Sequence, residues 1–187
     1  MAAENKLSWG IPTIFVKDLG TIDAKWKKLF TPVEGSTELV PTKGDKQEAK
    51  IEGGENEAVK YKKSTYEVNF NIRRAKDRKP PMPSQDGVVL NNYAFLLQPE
   101  DPTTDGFYIE KTSVSIDETY TAADGAIWQV AMSALKPDAG NTVKWGVVTT
   151  STQAEKTVVS FTENSNTKAP NVEAKTFTNE EYVDNDA

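Results

Sequence analysis

The most constraining feature of this chain is a strict two-residue alternation of apolar and polar side chains over Ser64–Arg73. The apolar positions are Tyr66, Val68, Phe70 and Ile72. Successive side chains of an extended strand point to opposite faces of a sheet, so this segment is predicted to be an antiparallel strand with one buried face. Because an α-helix repeats every 3.6 residues, it could not place these four side chains on one face.

Shorter segments of similar pattern recur along the chain and are separated by turn-forming residues. Further strands are predicted at Ser8–Lys17, Ala49–Glu52, Ala58–Lys62, Val88–Gln98, Phe107–Glu118, Ile127–Leu135 and Thr142–Thr149. Glycine and proline pairs such as Gly53-Gly54 and Pro80-Pro81 lie between them. Many short strands joined by such turns predict an all-β fold, a β-sandwich or barrel of antiparallel strands.

One segment, Thr21–Phe30, departs from the two-residue period. Its large apolar residues, Ile22, Trp26, Leu29 and Phe30, recur at helical spacing, and lysines take the other side. This spacing predicts one short α-helix flanking the sheet. The alternative is an irregular segment whose tryptophan packs on the sheet.

The four tryptophans are the largest apolar side chains of the sequence. They are Trp9, Trp26, Trp128 and Trp145. In a domain with few leucines and isoleucines we predict that they anchor the core, in preference to forming a platform on which a ligand stacks.

Charge is distributed unevenly along the 187 residues. The net charge is −6, and residues 151–187 contribute −4 of it through seven acids and three lysines. We therefore predict one domain over residues 1–150 and an acidic C-terminal extension over residues 151–187. The extension is predicted to add one strand at Lys156–Thr162 and to end in a mobile tail.

The residue types available for catalysis are few, because the chain has no cysteine and no histidine. The loop Asp101–Gly106 has the acids of a calcium loop without its full ligand spacing, and is interpreted as a surface turn. Acidic residues follow Gly53-Gly54 and would repel a phosphate. We predict no catalytic, cofactor or metal site and no enzymatic activity. A carboxylate-based hydrolase is the weakest alternative, since 28 acidic residues form pairs by chance.

The sequence also bears on membranes and nucleic acids. The longest apolar run is Tyr93–Leu97, far shorter than the roughly 20 residues that span a bilayer. No basic start followed by an apolar stretch is seen at the N-terminus, so we expect no secretory signal. The acidic balance disfavours affinity of the whole chain for nucleic acid.

The main cationic cluster, Arg73–Lys79, contains three arginines: Arg73, Arg74 and Arg78. It follows the alternating strand and ends at two prolines, which predicts a protruding loop. One interpretation is contact with an acidic partner, such as the C-terminal extension of a neighbouring copy. The other is a solvated loop that keeps the strand end soluble. A nucleic-acid patch is disfavoured because no aromatic residues interleave with the charges.

Several segments follow one another in a recognisable order over residues 7–150. The segments are Glu34–Leu39, Lys43–Glu55, Lys63–Phe70, Gly106–Ile116, Thr121–Trp128 and Ala134–Pro137. An early strand is followed by a charged, glycine-containing hairpin loop, a strongly alternating strand and then the closing strands. This order resembles the major tail tube proteins of long-tailed bacteriophages.

The resemblance implies a structural virion protein with a β-sandwich or barrel fold and one flanking helix. Its copies would close into hexameric rings, and the rings would stack around a lumen through which DNA passes without sequence-specific contact. The implied partners are the protein itself and other phage tail proteins, with no membrane. The implied location is the virion tail, after assembly in the host cytoplasm.

Charged residues are implied to join the subunits, through a hairpin loop at about Pro41–Glu57 and through the cationic cluster. They are Lys43, Asp45, Lys46, Glu48, Glu52, Glu55, Glu57, Arg73, Arg74 and Arg78. The alternative function is a carbohydrate- or protein-binding β-sandwich module, which would present aromatic side chains on an exposed face.

Overall fold

The computed structural model describes residues 6–185, which form twelve β-strands and no helix. The strands are β1 (Thr13–Asp18), β2 (Trp26–Lys28), β3 (Glu38–Thr42), β4 (Lys46–Lys50), β5 (Asn56–Tyr61), β6 (Thr65–Arg73), β7 (Tyr93–Gln98), β8 (Asp105–Thr121), β9 (Gly125–Ala134), β10 (Lys144–Gln153), β11 (Lys156–Glu163) and β12 (Thr176–Asp184). Ten of them form one sheet, and β4 and β5 form a separate hairpin. The predicted all-β fold is confirmed.

Seven strands of the large sheet close into a ring, in the order β10, β11, β12, β2, β1, β7 and β8. The ring closes because the first residues of β8 pair with β10 as well as with β7. Gly106 and Gly146 are paired at this closure. A Cβ atom on Gly106 would collide with the carbonyl of Leu97, so the close approach of the strands requires glycine there.

The long strand β8 continues beyond the ring and begins a second layer. Its C-terminal half pairs with β9, and β6 and β3 follow in order. The apolar side of β6, predicted from its alternation, is fully buried at Val68, Phe70 and Ile72. These side chains pack against one face of β1 and β7, which gives the molecule a sandwich-like second core.

The strands shared by the two cores are buried on both faces. In β1, Ile14, Phe15 and Val16 are each at most 1% exposed. Ile14 and Val16 belong to the sandwich core, whereas Phe15 belongs to the ring core. A strand covered on both sides has a continuous apolar run instead of alternation, and β7 shows the same feature over Tyr93–Leu96.

The α-helix predicted over Thr21–Phe30 is wrong. The first part of this segment is a turn capped by Asp18, whose carboxylate accepts hydrogen bonds from Gly20 N and Thr21 Oγ1. The second part contains β2, which lies between β1 and β12. Trp26 is 1% exposed in the ring core, whereas Ile22 is 90% exposed. The apolar residues of this segment do recur at helical spacing. Its conformation is nevertheless determined by the pairing of β2 with β1 and β12.

The C-terminal segment is part of the large sheet. The division expected at residue 150 lies inside β10, and the predicted strand at Lys156–Thr162 corresponds to β11. Residues expected to form a mobile tail include β12, whose Phe177 stacks on Trp26 with ring centroids 5.5 Å apart. Only β12 connects β11 to β2 in the sheet order, so the ring closes through this segment.

Two acidic residues of β12 are held by side chains from neighbouring strands. Glu180 accepts hydrogen bonds from Trp26 Nε1 at 2.6 Å and from Lys17 Nζ at 2.8 Å. Glu181 pairs with Lys25 at 2.6 Å and with Lys156 at 3.2 Å. The hydrogen bond from Lys25 holds the pKa of Glu181 below its ordinary value of 4.5.

This pKa shift predicts acid sensitivity of β12. Because the pKa of Glu181 is lower in the folded state, its stabilising effect is present above the unfolded value and is lost as the pH falls through the folded value. We expect the Tm of Glu181→Gln to fall less than that of the wild type as the pH drops below 4.5. Thermal melts from pH 6 to pH 3 test this. Glu173→Gln, at an exposed position, should follow the wild type, and identical pH profiles for all three proteins would contradict the prediction.

The tight turn between β10 and β11 predicts a stabilising substitution. Ala154 and Glu155 have φ values of 46° and 67°, the left-handed region that favours Asn and Gly in two-residue hairpin turns. We expect Ala154→Asn/Glu155→Gly to raise the free energy of unfolding by about 1 kcal/mol, or the Tm by about 3 °C. Ala122→Asn, at a turn position without positive φ, is the matched control. A Tm no higher than that of the control would show that the turn is not strained.

Candidate functional site

The hairpin of β4 and β5 stands apart from the rest of the molecule. It connects β3 to β6, pairs with neither, and every residue of its two strands is exposed. Its tip turns through Gly53 and Gly54, which have φ values of 104° and 88°. A two-stranded hairpin without packing partners is marginally stable in water. Its surface is therefore available for contact with another molecule.

Seven of the predicted inter-subunit residues lie on this hairpin or at its base: Lys43, Asp45, Lys46, Glu48, Glu52, Glu55 and Glu57. Those near the base are in contact with other hairpin residues. Lys46 and Lys50 pair with Glu48, and Lys62 Nζ lies 3.3 Å from Asp45 Oδ2. Exposed pairs of this kind add little stability, so they can exchange partners at small cost.

The tip of the hairpin is acidic. Within residues 6–185, Glu52, Glu55 and Glu57 form no salt bridge. The hairpin also exposes apolar side chains, with Ile51 47% and Tyr61 55% exposed. Charged and apolar groups thus share one exposed element, as the polar rim and the apolar centre of a contact surface do.

The cationic cluster predicted from the sequence is engaged within the chain. Arg73 Nη1 donates to the carbonyl of Asp124 at 2.6 Å, and Arg74 Nη1 donates to Glu118 Oε2 at 3.1 Å. The guanidinium of Arg78 lies 4.5 Å from the ring centre of Phe30. The cluster and the hairpin lie at opposite ends of β6, roughly 25 Å apart. The structure therefore does not bring the two predicted sets of residues together.

One edge of the large sheet is unpaired within the described residues. Strand β3 pairs with β6 on one side only. An open edge exposes backbone N–H and C=O groups that a strand from another chain can pair with. Pro41 interrupts this edge and removes one donor, which limits such pairing to part of the strand.

The prediction that all four tryptophans are core anchors is wrong for two of them. Trp26 and Trp128 are buried, at 1% and 3% exposure, but Trp9 is 75% and Trp145 is 39% exposed. The two exposed tryptophans line a groove of about 780 Å³ at the N-terminal end of β1. The strand predicted at Ser8–Lys17 begins only at Thr13. Residues 8–12 line the groove instead, so only the folded chain reveals it.

Two side-chain contacts fix the N-terminal segment along the groove. Ser8 Oγ donates to the carbonyl of Asp105 at 2.7 Å, and Ile11 N donates to Glu100 Oε2 at 3.0 Å. The groove is lined mainly by apolar and small residues, with Glu34 and Asp105 as its acids. It is a preformed apolar concavity with a polar rim, a form that suits either a protein side chain or a small ligand.

The loop Asp101–Gly106 forms a turn that leads into β8. Asp101 Oδ1 accepts hydrogen bonds from Thr103 N at 2.9 Å and from Thr103 Oγ1 at 2.6 Å, and these bonds lower its pKa. In residues 6–185 no group of three or more acidic residues is arranged to hold a metal ion. Over the same residues no helix is long and apolar enough to cross a membrane.

Comparison with known proteins adds no further information on the site. No protein-family model and no curated protein matches the chain.

The isolation of the hairpin predicts that it can be removed without unfolding the protein. Lys62 N donates to the carbonyl of Asp45 at 2.9 Å, so a short Gly-Ser linker can replace residues 46–61. We expect the free energy of unfolding to change by less than about 1 kcal/mol. Ile72→Ala, in the buried core, should in contrast cost about 2–5 kcal/mol. A chemical denaturation curve measures both, and a loss as large as that of the control would mean that the hairpin supports the fold.

Proposed function

We propose that the protein is a structural subunit that assembles with copies of itself, as the major tail tube subunit of a bacteriophage-like tail. Its copies form hexameric rings that stack around a DNA-conducting lumen. The observation that carries the proposal is the fully exposed β4–β5 hairpin, which lies between an edge strand and the alternating strand β6, where the sequence resemblance implies such a hairpin. The proposal assigns the protein no catalytic role.

The physical argument concerns what an isolated hairpin requires. Its eleven strand residues are exposed, so it gains almost no packing energy from its own chain. Docking on a neighbouring subunit would bury Ile51, Val59 and Tyr61, which are 43–55% exposed, and would give the charged tip new partners. The open edge of β3 next to its base offers a second place where copies can meet.

The charge of the chain is compatible with a DNA-conducting lumen. A net charge of −6 repels phosphate, so DNA would pass a wall built from such subunits without binding it. The arginines of the cationic cluster do not contradict this, because Arg73, Arg74 and Arg78 are engaged in contacts within the chain. In this proposal the protein acts in the virion tail together with other tail proteins.

A second candidate function is supported by the groove beside Trp9. Exposed tryptophans in a concave site are typical of modules that bind carbohydrate or protein ligands. Trp9 and Trp145 both line this groove, and Ser8, Thr31, Glu34 and Asp105 supply polar groups beside them. In that case the protein would be a stable monomer, and a glycan or peptide would quench the fluorescence of Trp9.

The proposed function predicts that assembly depends on the hairpin. We expect rings or hollow tubes in negative-stain electron microscopy of a concentration series, with light scattering that rises with concentration. Glu52→Lys and Glu55→Lys should reduce these assemblies and leave the Tm unchanged, because both residues are exposed at the hairpin tip. Glu173→Lys, an equal charge change outside the hairpin, should assemble like the wild type. Equal loss in all three variants would mean that only net charge matters, whereas a strict monomer that binds a glycan would favour the second candidate.

A further inference from the structure

Two exposed apolar patches lie at opposite ends of the same pair of strands. In the antiparallel pair of β1 and β7, Thr13 is opposite Gln98 at one end and Asp18 is opposite Tyr93 at the other. The segment before β1 forms the first patch, and the loops after β1 and before β7 form the second. The two patches are therefore separated by the length of the strands, roughly 20 Å.

The first patch is the groove beside Trp9. Four large apolar side chains surround or extend it, with exposed fractions of 39–75%: Leu7, Trp9, Ile11 and Trp145. The hydrogen bonds from Ser8 and Ile11 hold the segment in place, so the groove is preformed. Its volume of about 780 Å³ can accept several side chains.

The second patch is formed by two loops that are joined to each other. Its apolar members, Leu19, Ile22, Val88 and Leu90, have exposed fractions of 43–92%. Leu19 N donates to the carbonyl of Asn92 at 2.9 Å, and Asn91 Nδ2 donates to Asp18 Oδ2 at 3.0 Å. Ile22 and Leu90 are each at least 90% exposed, so these two side chains stand clear of a fixed loop surface. We call this patch the Leu90 knob.

We propose that the Leu90 knob of one copy docks into the Trp9 groove of another copy of this chain. A concave apolar site at one end and projecting apolar side chains at the other make a head-to-tail contact, in which the two joined surfaces differ. One copy of the pair keeps a free groove and the other keeps a free knob. Such a contact repeats from copy to copy. The inference rests on the proposed self-assembling function and names the surfaces that join the subunits.

The size of the two patches favours a second copy as the occupant. If the four apolar residues of each patch were covered, the contact would bury on the order of 1,000 Å² in total, the lower limit for a specific protein interface. A single contact of this size is weak, so the free subunit stays soluble. Many copies that also meet through other surfaces gain from it together.

Cysteine cross-linking tests the docking directly, because the wild-type chain has no cysteine. Ile11→Cys places a thiol at the groove, Leu90→Cys places one on the knob, and Tyr120→Cys places one at an equally open site, 76% exposed, outside both patches. Single-cysteine proteins are mixed in pairs, oxidised and analysed on non-reducing gels. We expect the mixture of Ile11→Cys and Leu90→Cys to yield at least ten times more mixed dimer than mixtures that contain Tyr120→Cys.

The result is interpreted together with electron microscopy of the wild-type protein. Tubes without enriched cross-linking would overturn the docking and leave the proposed function standing. Enriched cross-linking without rings or tubes would support the docking and count against the tail tube function. If neither enriched cross-linking nor tubes are observed, both the docking and the tail tube function are overturned. The same holds if this result is found together with a glycan bound in the groove.

A second experiment removes either the groove or the knob by substitution and does not depend on disulfide chemistry. Trp9→Ser removes the main groove side chain, and Leu90→Ser removes the main knob side chain. Both residues are exposed, so the fold should persist. We expect each variant to need at least tenfold higher concentration for assembly, and an equal mixture of the two to form dimers through the one intact contact. Tyr120→Ser is the control, and assembly of both patch variants at the wild-type concentration would contradict the docking.

Discussion

The structure depends on one shared wall, in which β1, β7 and the start of β8 are buried on both faces. Ile14, Phe15 and Val16 are almost fully covered, and they point alternately into the sandwich core and the ring core. A strand that serves two cores cannot change register without exposing apolar residues on both sides. This wall therefore fixes the positions of the loops at both its ends, including the N-terminal segment beside Trp9 and the loops that carry Ile22 and Leu90.

Local sequence patterns predicted most strands but missed interactions between distant segments. The alternation over Ser64–Arg73 predicted β6 correctly, because one face of this strand is buried and the other is only partly covered. The helix over Thr21–Phe30 was wrong because β2 is only three residues long and depends on β1 and β12 for its pairing. The C-terminal strand β12 was not predicted for a related reason. Phe177 and Tyr182 show no local pattern, and their place in the core depends on contacts with the distant residues Trp26 and Phe15.

The candidate site was predicted in part. The resemblance to tail tube proteins implied a hairpin loop at about Pro41–Glu57, and the exposed hairpin of β4 and β5 overlaps this range but extends to Tyr61. The same reasoning placed Arg74 on a free cationic loop, whereas the fold pairs it with Glu118 and sets it over Trp128. The Trp9 groove could not be predicted, because it is built from segments nearly 140 residues apart in the chain and no sequence period links them.

The distribution of exposed apolar surface is compatible with a subunit that is soluble as a monomer and that assembles as proposed. Most of its exposed large apolar side chains are divided among the hairpin, the Trp9 groove and the Leu90 knob, and each patch is of a size that a monomer can expose. One contact between two copies is weak, because the loss of rotational and translational freedom offsets most of the free energy that so small an area returns. In the proposed ring, however, the second and third contacts of a copy would form within an existing complex and would avoid most of that cost. Assembly would then be cooperative and would need a nucleus, because the first contacts are the weakest.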